Sequence, residues 1–174
     1  MSTPDLENRL LELLDKQAIY ESILRYCRGV DHRDAELIRS AYHPDAHDDH
    51  GTFVGGTEEL IRQNATEQPG QTTLAASHMV GNCLIEVDGD RAKAETYFLM
   101  HKRVAVDGVE HLRVRAGRYL DVMVRDAGDV WRVRRRTVVD DWNRTDPVST
   151  PQIGHSRGQV SMDDPVYAFL RPKP

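Results

Sequence analysis

The hydrophobic periodicity of this chain changes once, from helical in the first third to strand-like in the rest. Apolar residues recur at steps of three and four over residues 5–28, which predicts one long amphipathic helix. Gly29 is predicted to end it. A chain with its helices at one end and its strands at the other is typical of an α+β fold. The apolar stripe consists of Leu10, Leu13, Leu14, Ala18, Ile19, Ile23, Leu24 and Cys27.

Two shorter helices are predicted between the long helix and the strands. The first covers residues 34–42 and is ended by Pro44, because proline cannot continue a helix. The second covers about residues 57–67, with Thr57 as its N-cap and two glutamates in its first turn.

Four segments rich in β-branched and aromatic residues follow, and turn-forming residues separate them. The segments are 79–87, 92–106, 112–125 and 130–142, and the turns contain Asp88-Gly89-Asp90, Asp107-Gly108 and Ala127-Gly128-Asp129. Such hairpins in sequence predict an antiparallel meander that wraps over the helices. Residues 1–145 are therefore expected to form one domain. The remainder, 146–174, holds five prolines and is predicted to be an arm that packs over a pocket mouth or onto a neighbouring subunit.

Composition narrows the possible partners. The chain has 174 residues, of which 39% are hydrophobic, and no stretch is long enough to cross a bilayer, so we expect one soluble domain and no membrane. A net charge of -5 argues against nucleic acid as a partner. The N-terminus lacks a secretory pattern, which favours the cytoplasm, and Cys27 and Cys83 are expected to be buried apolar side chains.

An aspartate and a histidine stand out as candidate catalytic groups. Asp31 lies at the exit of the long helix, and His78 lies 47 residues later, at the start of the first long β segment. A carboxylate that orients an imidazole and stabilises its charged form makes a general base, so a meeting of the two in a pocket would indicate a lyase or isomerase. Alternatively, Asp31 or Asp34 caps the second helix, and His78 is a structural side chain.

Residues His43, His47, Asp48, Asp49 and His50 are of metal-ligand type and lie close together, but their spacing argues against a metal site. Pro44 prevents a helix that would align His43 with His47, and a strand over residues 46–52 would point His47 and His50 to opposite faces. No metal is therefore predicted. In the same strand Asp48 and His50 share a face, and His50 is a candidate to reach a pocket.

A run of arginines precedes the end of the last strand. Regular alternation would place Arg132, Arg134 and Arg136 on one face, where most of them would be solvated. A guanidinium beside a cavity can hold a departing oxygen or halide. Arg136 is the candidate for this role, because of its spacing from Trp131 in the sequence.

These residues, in this order, resemble the SnoaL-like branch of the nuclear transport factor 2 superfamily up to Arg144. The matching features are Tyr26-Cys27-Arg28-Gly29-Val30-Asp31, Ala41-Tyr42-His43-Pro44-Asp45-Ala46, Asp48-Asp49-His50-Gly51, His78 with Asn82, and Trp131 leading into Arg136 and Asp141-Trp142. The resemblance implies a cone-shaped α+β barrel, in which a curved, mostly antiparallel sheet wraps over N-terminal helices around an apolar cavity. The group includes scytalone dehydratase, bile acid 7-alpha-dehydratase, hexachlorocyclohexane dehydrochlorinase, steroid delta-isomerase and polyketide cyclases.

The resemblance also implies roles for particular residues. Asp31 and His78 match the dyad of the dehydratases and the dehydrochlorinase, and Tyr26 falls where the bile acid enzyme has a catalytic tyrosine. Arg136 falls where the dehydrochlorinase has an arginine near the leaving group, and His101 resembles the second histidine of scytalone dehydratase. A one-residue change in the turn at 88–90 would instead turn His101 to the other sheet face and bring Phe98 and Met100 into the cavity. The predicted substrate-binding residues are His50, Asp48, Phe53, Phe98, Met100 and Val138.

The predicted function is a dehydratase-type elimination, without cofactor, on a small hydrophobic hydroxy-ketone such as a steroid, a polyketide or an aromatic compound. One alternative is a delta-isomerase or polyketide cyclase of the same fold. Another is a non-catalytic module like the small (beta) subunit of ring-hydroxylating dioxygenases. A homo-oligomer, dimer or trimer, is expected because the sheet has one face to cover.

Overall fold

The computed structural model describes residues 3–148 and 158–170, which form helices at the start and a long-stranded sheet after them. This confirms the predicted α+β class and the curved, mostly antiparallel sheet. The helices are α1 (Thr3–His32), α2 (Ala35–Ala41), α3 (Thr57–Ala65) and α4 (Pro165–Leu170), and the strands are β1 (Tyr42–Asp49), β2 (Val54–Gly55), β3 (Gln71–Asp88), β4 (Arg91–Val106), β5 (Val109–Arg125) and β6 (Trp131–Pro147).

The six strands form one sheet in the order β2-β1-β6-β5-β4-β3. The last four are joined as antiparallel hairpins, as the turn residues predict, and Gly89 and Gly108 supply positive φ angles of 57° and 83° in two of the turns. The sequence did not indicate that β1 returns to pair in parallel with β6. As a result β3 lies at a free edge of the sheet, where alternate backbone N–H groups have no strand partner.

The core lies between the inner sheet face and the second half of α1. Ile19 and Ile23 of the helix and Met123 and Val133 of the sheet are fully buried. Burying each such side chain is worth about 1.5–3 kcal/mol, so these contacts fix the helix on the sheet. The leucines of the first half of α1, including Leu10 and Leu13, are exposed.

Helix α1 was predicted to end at Gly29, but it continues to His32. A Cβ on residue 29 would lie 2.8 Å from Ile38 Cγ1 and 2.9 Å from the Ile38 nitrogen, so glycine is needed here for the close approach of α2. Arg33, with φ of 56°, ends the helix. Asp31 therefore lies in the last helical turn, and Asp34 is the residue that caps α2, accepting a hydrogen bond from the Leu37 N–H at 3.1 Å.

Replacing Gly29 with alanine is expected to destabilise the protein. Forcing a methyl group into a packed contact costs roughly 1–3 kcal/mol, which outweighs the gain of about 1 kcal/mol that alanine normally brings to a helix. Urea unfolding of Gly29→Ala should therefore give a lower free energy than the parent. In Gly81→Ala the nearest atom to the new Cβ lies 4.0 Å away, so this control should avoid that clash penalty. Equal free energies for Gly29→Ala and the parent would contradict the packing argument.

The two short helices differ slightly from their predicted bounds. Helix α2 ends at Ala41, and Tyr42 already begins β1, so Pro44 lies inside a strand. The pairing of β1 with β6 shifts register between Tyr42 and His47, which accommodates the missing N–H of the proline. Helix α3 follows Gly56, so Gly56 rather than Thr57 is its N-cap.

The described part of the C-terminal arm packs where α1 and α2 meet. The Tyr167 hydroxyl donates to Asp34 Oδ2 at 2.9 Å, and Arg28 lies over the Tyr167 ring. Among the described helices, none combines the length and the apolar character needed to cross a bilayer. The homo-oligomer stays a prediction.

Candidate active site

A cavity of about 440 Å³ opens between α1, α3 and the inner face of strands β3 to β5. This volume falls in the range of roughly 300–1,000 Å³ typical of small-molecule sites. Of the residues predicted from the sequence, six lie in its wall: Tyr26, Asp31, His50, Phe53, His78 and Met100.

Asp31 and His78 are joined by two hydrogen bonds. The His78 backbone N–H donates to Asp31 Oδ2 at 2.8 Å, and His78 Nδ1 lies 2.6 Å from Asp31 Oδ1. The backbone bond is possible because β3 is an edge strand, so this N–H is not used by a neighbouring strand. A carboxylate only accepts, so Nδ1 carries the proton and Nε2 is left as the basic nitrogen.

A second Asp–His pair lies in the same site. His50 Nδ1 is 2.6 Å from Asp48 Oδ1, without the alignment of a hydrogen bond, and His50 Nε2 is 3.1 Å from the Tyr26 hydroxyl. Tyr42 donates a short hydrogen bond to the other oxygen of Asp48. The sequence indicated only that Asp48 and His50 share a face; their link to Tyr26 depends on where β1 lies against α1. Asp48 is 1% exposed and lies behind His50, not in the cavity wall.

The charges around this second pair favour an ionised aspartate and a neutral tyrosine. Burial alone would raise the pKa of Asp48, but the His50 ring, Arg136 and Tyr42 outweigh it and lower that pKa. Burial raises the pKa of Tyr26 above its ordinary value, so its hydroxyl keeps its proton. The result is a protonated phenol held by an imidazole with a carboxylate behind it.

Arg136 does not line the cavity, contrary to the sequence prediction. It is fully buried and binds Asp121 through two hydrogen bonds of 2.7 Å, while its guanidinium stacks 4.2 Å from the Tyr26 ring centre and 4.1 Å from that of Tyr119. The cause is an irregularity in the β5–β6 register at Arg134, which breaks the alternation and lets Val133 and Arg136, three residues apart, both face inward. Arg136 thus supports Tyr26 from behind.

His101 also lies outside the cavity wall, and Phe98 and Met100 point inward instead. Even-numbered residues of β4 from Ala92 to Phe98 are buried or half-buried against the core, so His101 occupies the opposite face. Met100 lines the cavity, whereas Phe98 lies beneath it, stacked on Tyr119. Val138 packs against the core and is not in the wall.

The cavity wall is more polar than the resemblance implies. Besides Asp31 and His78 it contains amide and hydroxyl side chains from α3, the following loop and β3, and four cationic residues: Arg33, Lys102, Arg113 and Arg115. Lys102, Arg113 and Arg115 were not predicted from the sequence, because charged residues in strands are usually solvated. The spacing of Lys102 from Phe98 and Met100 was the signal that could have found it, since the three share a face.

The remaining candidate groups take no part in the cavity. Within residues 3–148 and 158–170, no three histidine, cysteine, aspartate or glutamate side chains converge as a metal site would require. Cys27 is buried, which raises the pKa of its thiol to about 12. The Cys83 Sγ lies 3.1 Å from the Thr96 hydroxyl.

The sequence matches the model of the SnoaL-like domain over residues 11–137. The chain belongs to the SnoaL-like domain family. No curated protein matches the sequence. Solved structures are similar to this SnoaL-like chain in fold, at identities below 25%.

Three solved structures illustrate the likeness. The hexachlorocyclohexane dehydrochlorinase LinA-type3 from Novosphingobium barchaimii has a TM-score of 0.67 and 18% identity, covering 84% of this chain and 99% of that one. A scytalone dehydratase-like protein from Novosphingobium aromaticivorans has a TM-score of 0.63 and 17% identity, covering 87% and 95%. A nuclear transport factor 2-like superfamily protein from Salmonella enterica has a TM-score of 0.63 and 21% identity, covering 72% and 89%. Solved structures of this fold thus include a hexachlorocyclohexane dehydrochlorinase.

Proposed function

We propose that this SnoaL-like protein is a cofactor-independent lyase in which His78, held by Asp31, removes a proton from carbon. The observation that carries the proposal is the double hydrogen bond from one carboxylate to the backbone and ring of His78 at the wall of an open cavity. Those two bonds fix the ring and its tautomer. The substrate is a hydroxylated compound whose acidic C–H lies next to a carbonyl group.

In the first half of the reaction, His78 Nε2 accepts the proton of the acidic C–H. The electron pair of that bond moves toward the carbonyl carbon, and negative charge develops on the carbonyl oxygen. Asp31 stabilises the imidazolium that forms, since its carboxylate is 2.6 Å from Nδ1.

In the second half, the electron pair forms the new carbon–carbon double bond and the hydroxyl group leaves. Tyr26 donates its proton to the departing oxygen, so the products are an alkene and water. His50, 3.1 Å from the Tyr26 oxygen, returns a proton to it, and Asp48 stabilises the charge on His50. His78 releases its proton to solvent and His50 takes one up from solvent, which together restore the starting state.

Removing the Tyr26 hydroxyl should slow the reaction without unfolding the protein. Tyr26→Phe keeps the ring that stacks on Arg136 but loses the proton donor, and general acid catalysis is typically worth roughly 10²–10⁴-fold. We expect kcat to fall by about 10²-fold, as measured by the initial rate at which the product absorbance appears. Tyr20→Phe is the control, because the Tyr20 hydroxyl makes no hydrogen bond within the described chain. Full activity in Tyr26→Phe would assign the acid to another group.

The geometry favours this function over its alternatives. A delta-isomerase or polyketide cyclase would use one carboxylate as its base, whereas both oxygens of Asp31 are occupied by His78. A non-catalytic module needs no imidazole in its cavity, and side chains would be expected to fill that cavity. Here it is open and two histidines line it.

The direct test is a substrate survey. The purified protein is incubated with β-hydroxy ketones built on steroid, polyketide and aromatic frameworks, and the absorbance of the conjugated enone is followed. Enone formation that depends on the protein supports the proposal. If the framework is only isomerised, or no compound in any class reacts, the elimination is contradicted.

A further inference from the structure

Four cationic residues line the cavity, and two of them have no acidic hydrogen-bond or ion-pair partner among the residues that the structure describes. Arg33 donates to Glu67 through a short hydrogen bond, and Arg115 donates to Asp140, with one bond of 2.8 Å. Within the described part of the chain, Arg113 donates only to the neutral amide oxygen of Gln71, at 2.6 Å. Lys102 makes no hydrogen bond or ion pair with any residue that the structure describes.

The sheet register places the two unpaired cations next to each other and near the base. Lys102 is directly opposite Arg113 across the β4–β5 pair, and Ala76 is its partner on β3. His78 pairs with Met100, so His78 and Lys102 are diagonal neighbours on one face of the sheet. Diagonal neighbours lie roughly 7–8 Å apart, which is within the span of one compact substrate.

The proximity of these two positive charges destabilises the protein when no ligand is bound. Two like charges directly opposite each other in a sheet are destabilising. Lys102 is also half-buried, and its burial together with the charges of Arg33 and Arg113 lowers its pKa, against the opposing effect of Glu67. An anion bound between Lys102 and Arg113 would remove the repulsion and supply the missing acceptor.

We propose that the substrate carries a carboxylate that binds between Lys102 and Arg113 while its acidic C–H faces His78. This inference rests on the proposed function and specifies the substrate class: a hydroxylated keto acid rather than a wholly apolar ketone. A carboxylate fits because the lysine ammonium and the arginine fork both donate to planar oxygens. Glu67, already bound by Arg33 and Thr73, keeps a low pKa of about 2 and so opposes ligands of higher negative charge.

The experiment compares two unreactive probes that differ only in charge, 4-phenylbutanoate and 4-phenylbutanamide. Calorimetric titration of the full chain should show the carboxylate binding at least tenfold more tightly than the amide. In Lys102→Met and Arg113→Met that preference should disappear, with the affinity for the amide unchanged. Lys93→Met, on the exposed outer face of the same strand, is the matched control and should keep the preference.

Three outcomes would overturn the inference. The first is equal affinity for the two probes. The second is that the carboxylate does not bind at 10-fold the concentration at which the amide saturates the protein. The third is that Lys102→Met keeps both the carboxylate preference and the melting temperature of the parent. Phenyl phosphate is the third probe, and tighter Lys102-dependent binding of phosphate than of carboxylate would assign the pocket to a different anion. His78→Gln separates the two proposals, since it should lose turnover and keep the carboxylate preference. A preference in a protein that eliminates no substrate would contradict the proposed function alone.

Discussion

The variant His78→Ala is expected to lose turnover almost completely, with kcat reduced by roughly 10²–10⁴-fold, the usual contribution of a positioned general base. Asp31→Asn should show a similar loss, because the amide no longer enforces the tautomer with a basic Nε2. Both are measured as initial rates of enone formation on the best substrate of the survey. Circular dichroism of each variant checks that the fold is kept.

His101→Ala is the control for the base. His101 is on the strand next to His78, opposite Ser77, but on the outer face of the sheet. We expect it to keep the activity of the parent. Parental activity in His78→Ala would exclude His78 as the base, and a large loss in His101→Ala would show that the outer face takes part after all.

Asp121→Ala is expected to be the most destabilising single substitution of a polar residue. It leaves Arg136 fully buried without the carboxylate that binds it, and breaking a buried pair from one side typically costs about 3–5 kcal/mol. That is a large part of a total stability that is usually about 5–15 kcal/mol. The measurement is the free energy of unfolding in urea. Arg135→Ala, at an exposed neighbouring position, is the control and should change it by less than about 0.5 kcal/mol.

The double variant Asp121→Leu with Arg136→Met distinguishes the charge from the shape of this pair. Replacing both partners by apolar side chains of similar size is often neutral or stabilising, so the double variant should recover much of the loss. Its activity should remain low, because Arg136 also supports the Tyr26 ring. If Asp121→Ala alone were as stable as the parent, water would have to reach the buried pair.

The parts of the fold that were predictable from the sequence depend on local patterns. The periodicity of α1 and the glycine-containing turns of the hairpins set the helix and the order of strands β3 to β6. The prediction of Asp31 at a helix exit and of His78 at the start of a strand made their meeting testable, although β3 in fact begins earlier, at Gln71. These features need only the neighbouring few residues to be read, and long-range packing did not change them.

The parts that were not predictable depend on contacts between distant segments. Gly29 looked like a helix end because its role in admitting α2 involves Ile38. The inward direction of Arg136 depends on one extra residue in its strand, at Arg134, which simple alternation does not register. Likewise, the second pair at His50 exists only because β1 lies beside β6 and against Tyr26.

The attachment of Asp31 to the backbone of β3 has a consequence for solubility. An edge strand with unpaired backbone groups can pair with a strand of another chain and so begin aggregation, and proteins usually have features that prevent this pairing. Here the Asp31 carboxylate, which binds the His78 ring, also accepts a hydrogen bond from a backbone N–H on the edge strand β3. The same side chain thus serves the proposed catalytic base and covers one backbone group of the exposed strand.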